Sequence, residues 1–267
     1  MKRNQLLKAA AAGLMMVALA ACNDATDPAL VDDQQVTQDV AATSGDAIAT
    51  EVGTLLGNEV FAALPGPRPS FSLFGDPADL VVTRTRTCYD GTQVQTQCDP
   101  ITTDSVVTTL TIDGSFTRQH TGPRGTETMT RAVHQARRHV ISGLDGQETS
   151  RTHNGVGTGN DTTQFTATQN EGGASHSRTV TESSLDSVQN IVFNLPHATN
   201  PWPVSGSIVR RVIGQITATS GDRTETRSFN HRVSVTFPAD AQGNVTITIN
   251  EKTCTLNLVT RTITNCS

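Results

Sequence analysis

Two hydrophobic periods divide the chain. From Leu80 to Ser267 apolar and polar residues alternate with a period of two, and Thr, Val and Ile dominate. The clearest case is ETRSFNHRVSVTF, residues 225–237. There Phe229, His231, Val233, Val235 and Phe237 share one face and Ser228, Asn230, Arg232, Ser234 and Thr236 the other. Successive side chains of a strand point to opposite faces, so this is the pattern of a half-buried strand. NVTITINE repeats it with Val245, Ile247 and Ile249. Turn chemistry comes at short intervals: Asp90-Gly91, Asp113-Gly114, Gly122 to Gly125, Asp145-Gly146, the glycines of NGVGTGND, Asn170 to Gly173, Ser220 to Asp222 and Ala241 to Asn244. Asp-Gly between extended residues is a strong hairpin signal. Short strands with no crossover helices between them exclude a parallel sheet. The expectation is a mainly β domain, an antiparallel meander of about ten to twelve strands, with curved open sheet, barrel and sandwich all left open.

The other period is helical. Ile48, Val52, Leu55, Leu56, Val60 and Ala63 fall on one arc at 100° per residue, which predicts an amphipathic helix over 46–64. Gly53 and Gly57 lower its propensity, so it needs a surface to lie on, and LPGPRPS ends it because proline has no N–H to donate. Glu59 projects into the apolar arc, either as a helix-edge residue reaching water or facing an arginine from the sheet. LPHATNPWPVSG, residues 195–206, breaks the strand rhythm and reads as a long connection inside one β domain, with Trp202 packed there.

The first residues obey neither period. Lys2, Arg3 and Lys8 precede Ala9 to Ala21, a stretch that is entirely apolar or glycine and short for a permanent span. This is the form of a cleaved export signal, and it closes on Leu19-Ala20-Ala21-Cys22. That ending resembles the lipobox of bacterial lipoproteins. The resemblance covers only the first 22 residues, and no family is identified for the rest. It implies a signal peptide over 1–21, a diacylglycerol thioether on Cys22, cleavage before that cysteine and acylation of the new amino group. Each buried CH₂ contributes about 0.8 kcal/mol, and two or three chains anchor stably where one does not. Asn23 stands where an aspartate would favour inner-membrane retention in enteric-type lipoproteins, so the resemblance leans toward the outer membrane of the cell envelope.

Charge alters the reading of the residues beyond Cys22. Without the signal the chain has 17 basic and 25 acidic residues, and from Cys22 to Pro67 there are eight acids with no Lys or Arg. The whole excess of negative charge therefore lies next to the anchor. Residues 22–44 read as an acidic flexible tether, solvated for want of bulky apolar side chains, ahead of a single domain over 45–267.

Four cysteines remain after Cys22, and export makes disulfides the expectation. Of three possible pairings, Cys88 with Cys98 and Cys254 with Cys266 close short loops around predicted turns and are preferred. No C-x-x-C occurs, and no histidine sits at ligand spacing beside these cysteines.

The seven histidines form no H-x-H or H-E-x-x-H, and G-x-S-x-G is absent. A two-residue turn at Asp145-Gly146 would set Arg138 opposite His153 and bring His139 near, but Arg137 and Arg138 would repel a metal cation. His231, on a face with two phenylalanines, reads as a hydrogen-bonded interior or ligand-facing residue. NGVGTGND lacks the strand-to-helix context of a phosphate loop and reads as a mobile hairpin tip. No catalytic residue, metal ligand or cofactor is assigned.

Arginine usage is the remaining feature, with 16 Arg after the signal against one lysine, Lys252. Arg84, Arg86, Arg210, Arg227 and Arg232 are the candidate anion-binding residues, since guanidinium forks suit sulfate, phosphate and uronate groups. The competing reading is cross-strand ladders with Thr, Asp and Glu on a solvated face. Few aromatics and no net positive charge argue against nucleic acid. The expectation is an envelope-anchored lipoprotein, a non-enzymatic binding or structural module whose partner is an envelope glycan, lipid or protein. The alternative is a periplasmic carrier with an apolar ligand in a curved-sheet cavity under the helix, with a hydrolase third.

Overall fold

The structure is a computed structural model and describes residues 30–57, 80–122, 125–169, 176–197 and 199–266. The signal peptide, Cys22, residues 58–64 of the predicted helix and the predicted turn at 170–173 lie outside the described residues.

The strands are β1 (Leu80–Asp90), β2 (Gln93–Gln95), β3 (Ser105–Gly122), β4 (Gly125–Ser142), β5 (Ser150–Gln169), β6 (His176–Asn194), β7 (Ser205–Ser220), β8 (Arg223–Thr236), β9 (Asn244–Ile249), β10 (Lys252–Asn257) and β11 (Ile263–Thr264). All eleven lie in one sheet in the order β11-β10-β9-β8-β7-β6-β5-β4-β3-β1-β2, each pair antiparallel. The meander is therefore an open sheet, with β2 and β11 at its edges rather than paired to close a barrel. Two-residue turns form where expected at Gly91-Thr92 and Gly221-Asp222, since Asp90 pairs with Gln93 and Ser220 with Arg223. Residues 195–204 connect β6 to its own neighbour β7, so the proline-rich stretch joins no second domain.

Helix α1 spans Asp33–Gly57 and starts thirteen residues before the predicted Asp46. Residues 33–44 are thus helix, not tether. The start has a capping signal that the apolar arc does not contain: the Asp32 carboxylate accepts the Gln35 N–H at 2.7 Å, an N-cap whose N3 residue is glutamine. Acidity did not mean solvation, because Asp39, Asp46 and Glu51 are buried against arginines of the sheet.

Every helix residue from 43 to 56 is buried, so α1 is enclosed rather than laid on a surface. The sheet curls around it. Arg118 of β3, near one sheet edge, and Arg261, just before β11 at the other, both donate to Oδ1 of Asp46. Gly45 lets the C-terminal strands close in, for a Cβ there would lie 3.2 Å from both Leu256 Cδ1 and Ile263 Cγ1. Val36, Val40, Ile48, Val52 and Leu55 pack into one core with Val180, Ile208, Ile216, Val233 and Ile247 from the concave face. Burying such side chains contributes roughly 1.5–3 kcal/mol each.

Cys88 bonds to Cys98 and Cys254 to Cys266, the two short-loop pairings. The first ties the β1–β2 hairpin to the loop after it, and the second holds the C-terminal segment on β10. In the loop-entropy model each constrains the unfolded chain by about 3 kcal/mol.

Two predicted turns fall inside strands. Asp113 and Gly114 pair with His134 and Val133 in the middle of β3 and β4. The glycines of NGVGTGND lie in the middle of β5, not at a mobile tip: Gly155, Gly157 and Gly159 stand directly opposite His139, Arg137 and Gln135. The reason is steric. Long polar side chains of β4 lean across β5, and glycine leaves their path clear. A Cβ on Gly157 would come within 2.7 Å of Arg137 Cδ and 3.1 Å of the Ala136 carbonyl. Gly157→Val is expected to lower the free energy of unfolding by about 1–3 kcal/mol through overpacking. Thr158→Val, at the exposed neighbour, should leave it nearly unchanged. Equal urea midpoints for the two variants would refute this role for the glycine row.

Candidate functional site

The polar residues of the concave face make a lattice with those of the helix. On β4, Arg131, Gln135, Arg137 and His139 point inward on the same face as Val133 and Ile141, and all are buried. Arg131 Nη2 reaches Asp161 Oδ2 of β5 at 2.5 Å, while its Nη1 donates to the Thr43 carbonyl of α1 at 2.7 Å. Arg137 bridges Glu51 of the helix and Asp186 of β6, both at 2.8 Å. Arg210 of β7 meets Asp186 and Glu182, each at 3.0 Å. Thr43 Oγ1 donates to Glu182 at 3.0 Å, and His139 Nε2 lies 2.5 Å from Glu51 Oε1. Arg118, Arg131, Arg137, Arg210 and Arg261 thus face Asp46, Glu51, Asp161, Glu182 and Asp186.

Electrostatics in this lattice is decided by pairing against burial. Burial alone would raise the Glu51 carboxyl, but His139 and Arg137 hold it at about 2. Burial likewise opposes ionisation of Asp46 and Asp161, and neighbouring guanidiniums keep both below the usual carboxylate range. For Asp39 burial outweighs Arg178, and its pKa is raised. His153, two per cent exposed, hydrogen-bonds through neither ring nitrogen, and burial lowers its pKa to about 3. It packs edge-on against Phe193, 5.3 Å between ring centres.

The candidate anion-binding arginines do not converge. Four strands separate β1, which carries Arg84 and Arg86, from β7, which carries Arg210. Arg84 and Arg86 do share the inward face, opposite Leu110 and Thr108. Arg210 is one per cent exposed and held by carboxylates of the lattice, so it is an interior cation and not part of a solvated anion-binding face. Arg227 docks the start of α1, donating to the Val31 carbonyl at 3.1 Å and pairing with Asp33 at 3.1 Å. Arg232 is exposed on the outer face, across from Arg211.

The histidine geometry is also revised. His153 stands opposite Ile141, and His139 opposite Gly155, because residues 143–149 form a longer connection than the two-residue turn expected. Among the described residues no group of three or more His, Cys, Asp or Glu is placed to hold a metal ion. His231 is half-buried, stacks on Phe229 at 5.7 Å and hydrogen-bonds the Asn250 side chain, and its pKa is lowered, chiefly by that partial burial.

One opening into this lattice is a cleft of about 740 Å³ between the N-terminal half of α1, the ends of β3 and β4, and residues 260–266. Gln34 and Gln38, exposed at helical spacing, form its upper wall, and Met129 and Phe165 an apolar side. Asp46, five per cent exposed at its side chain, lies in the cleft with Arg118 and Arg261 on it, and Arg261 also donates to Thr50 Oγ1 at 3.1 Å. Burial, assisted by the charges of Arg118 and Arg131, lowers the Arg261 pKa against the pull of Asp46. Sequence reasoning missed both Arg118 and Arg261. Arg118 lies midway between the turns expected at Asp113-Gly114 and Gly122 to Gly125, and alternation assigns a side chain to a face without saying which charge it meets.

No match was found to a protein-family model, to a curated protein or to a solved structure.

Proposed function

We propose that this chain is a membrane-anchored lipoprotein of the bacterial cell envelope, held by acyl chains on Cys22, whose β domain acts as a non-enzymatic binding module. The observation that carries the anchoring is the succession of basic residues, apolar run and Leu19-Ala20-Ala21-Cys22. The two disulfides fit an exported domain. Ten residues separate Cys22 from the first residue of α1, a reach of at most about 40 Å, so the domain works close to the bilayer. Outer-membrane placement rests on the Asn23 rule.

Binding rather than turnover is supported by how three interior charges are used: Asp46, Glu51 and Asp161 are engaged by arginines and held ionised, not left poised for proton transfer. The carrier alternative needs an apolar hollow beneath the helix, whereas α1 itself occupies the concave face from 43 to 56.

Anchoring is tested by metabolic labelling with palmitate and by detergent phase partitioning. The native chain is expected to label and enter the detergent phase, and Cys22→Ser to do neither. A native protein with an unmodified thiol by intact mass would refute the reading.

A further inference from the structure

We propose that the convex face of the sheet docks on anionic phospholipid headgroups of the bilayer that anchors the chain, with Arg138, Arg211 and Arg232 on the phosphates and Val156, Leu185 and Ile213 at the interface. The inference rests on the lipoprotein reading and adds how the anchored domain lies.

These six residues form one contiguous patch. Val156 of β5 pairs with Ser187 and Leu185 of β6 with Thr158, which makes Val156 and Leu185 diagonal neighbours. Leu185 pairs with Arg211 and Ile213 of β7 with Ser183, so Leu185 and Ile213 are diagonal neighbours too. The three apolar side chains are between 46 and 60 per cent exposed and belong to no core cluster. Arg138 of β4 stands directly opposite Val156 on one flank, and Arg211 opposite Leu185 on the other. Arg232 of β8 stands opposite Arg211. All three arginines are exposed, and among the described residues none has an ion pair or a side-chain hydrogen bond. Like charges directly opposite destabilise a sheet, so Arg211 against Arg232 is an arrangement that an anion from outside relieves. Among the described residues the convex side of the strands carries one carboxylate, Asp113 of β3, and it bonds to His134. Glu251, on the turn whose Asn250 bonds the Arg232 N–H, pairs with none of the three.

Position in the fold selects a planar partner. β6 is the sixth of eleven strands, so on a sheet curled around its helix the apolar stripe lies along the crest of the convex side. A convex surface meets a plane only along its crest, and arginines beside the crest reach forward on long stems. Apolar side chains between guanidiniums match the boundary between acyl chains and phosphates. The tether ends on the same strands. The Leu30 N–H donates to Glu225 of β8 at 2.7 Å, and Arg227 holds the Val31 carbonyl at 3.1 Å. Seven residues lie between Cys22 and Leu30, a reach of at most about 30 Å, and Arg232 lies about 23 Å along β8 from Glu225. The anchor therefore holds β7 and β8 within reach of the headgroups.

The test uses the mature lipidated protein in vesicles of phosphatidylcholine, with or without phosphatidylglycerol. Arginine modification by phenylglyoxal, an uncharged reagent, is read residue by residue by mass spectrometry. Each cation near an anionic surface contributes about fivefold, so three favour the docked orientation by about a hundredfold. Arg138, Arg211 and Arg232 are expected to react at least fivefold more slowly on the vesicles with phosphatidylglycerol. Arg86, exposed on the opposite face of the sheet, should react equally on both. Leu185→Glu, and separately Arg211→Gln with Arg232→Gln, should each cut the protection of Arg138 by about fivefold. All three positions are exposed, and the urea midpoint should stay at the native value. Overturning results are equal reaction on both vesicles, protection that extends to Arg86, or protection that both variants retain. Protection by soluble polygalacturonate on phosphatidylcholine vesicles, with none from phosphatidylglycerol, would give the face to a glycan and refute the membrane reading. Palmitate labelling separates this inference from the anchor: a lipidated protein whose arginines react equally on both vesicles loses the docking face alone. A chain with an unmodified Cys22 thiol that is still protected on mixing with phosphatidylglycerol vesicles keeps the face and loses the anchor.

Discussion

Replacing Arg131 by methionine is expected to destabilise the domain by about 3–5 kcal/mol, the cost of removing one partner from a buried charge set. Methionine preserves most of the volume, so the loss is electrostatic. It leaves Asp161, with no exposed side-chain surface, and Glu182, at one per cent, without their shared guanidinium. Gln135 still donates to Asp161 at 2.9 Å and Arg210 still reaches Glu182 at 3.0 Å, which places the effect toward the lower end of that range. Domain stabilities lie at about 5–15 kcal/mol, so this one change removes a large fraction of the whole. Arg232→Met is the matched control, since Arg232 is exposed on the outer face across from Arg211 and a surface change of that kind shifts stability by about 0.5 kcal/mol or less. Urea unfolding of the two variants should show a large shift for the first and almost none for the second. Shifts of equal size would mean that the lattice does not hold the helix.

A second large effect is expected with pH. His153 protonates near 6.5 when unfolded and only at about 3 in the folded chain. Between those values the unfolded state binds a proton that the folded state refuses, so stability falls as pH is lowered through this window. At about 1.4 kcal/mol for each tenfold difference in proton affinity, the loss is on the order of 5 kcal/mol. Glu51 adds a later step of the same sign. Its folded pKa of about 2 lies below its ordinary 4.5, so its contribution is complete above 4.5 and disappears as pH falls toward 2. His153→Leu separates the two. The variant lacks a titrating group at this position and relieves two unsatisfied ring nitrogens, so at pH 7 it should be as stable as the native chain or more so. Plotted against pH, its urea midpoint should fall less steeply than that of the native chain from 6.5 to about 4.5, the remaining slope coming from His231, whose pKa burial also lowers, and then fall as Glu51 protonates. Parallel curves for variant and native chain across that upper window would dispose of the His153 assignment.

The lattice also bears on why the helix adopts one position. Asp39 pairs with Arg178, Asp46 with three arginines and Glu51 with Arg137. A one-turn slide of α1 would leave buried carboxylates facing Val and Ile side chains, a displacement opposed by several kcal/mol per unpaired charge. Apolar packing alone tolerates such slips much better.

Particular residues show how far sequence reading reached. The face assignment of β8 is right: Phe229, Val233 and Val235 are buried, while Ser228, Asn230 and Arg232 are not. It works because the inner side of that strand is apolar. The same logic fails on β4, whose inner side alternates Arg131, Val133, Gln135, Arg137, His139 and Ile141. Charged residues there suggest solvent, and only the acids of an enclosed helix reverse that. A usable signal did exist, in eight acids without a base before a β region rich in arginine, beside glycines spaced two apart in NGVGTGND.

By itself the sequence determined the β class, the antiparallel succession and the existence of a helix ahead of the strands, and it favoured the two short-loop disulfides among three pairings. These depend on local period, turn chemistry and loop length, all of which are written within a dozen neighbouring residues. Only the tertiary structure decided where the helix begins, that the sheet curls around it, and that Arg210 and Arg131 lie inside while Arg118 and Arg261 meet at a cleft. Those outcomes depend on cross-strand register and on charges brought together from distant segments, and free energy from such pairs exists only once the sheet has closed around its helix.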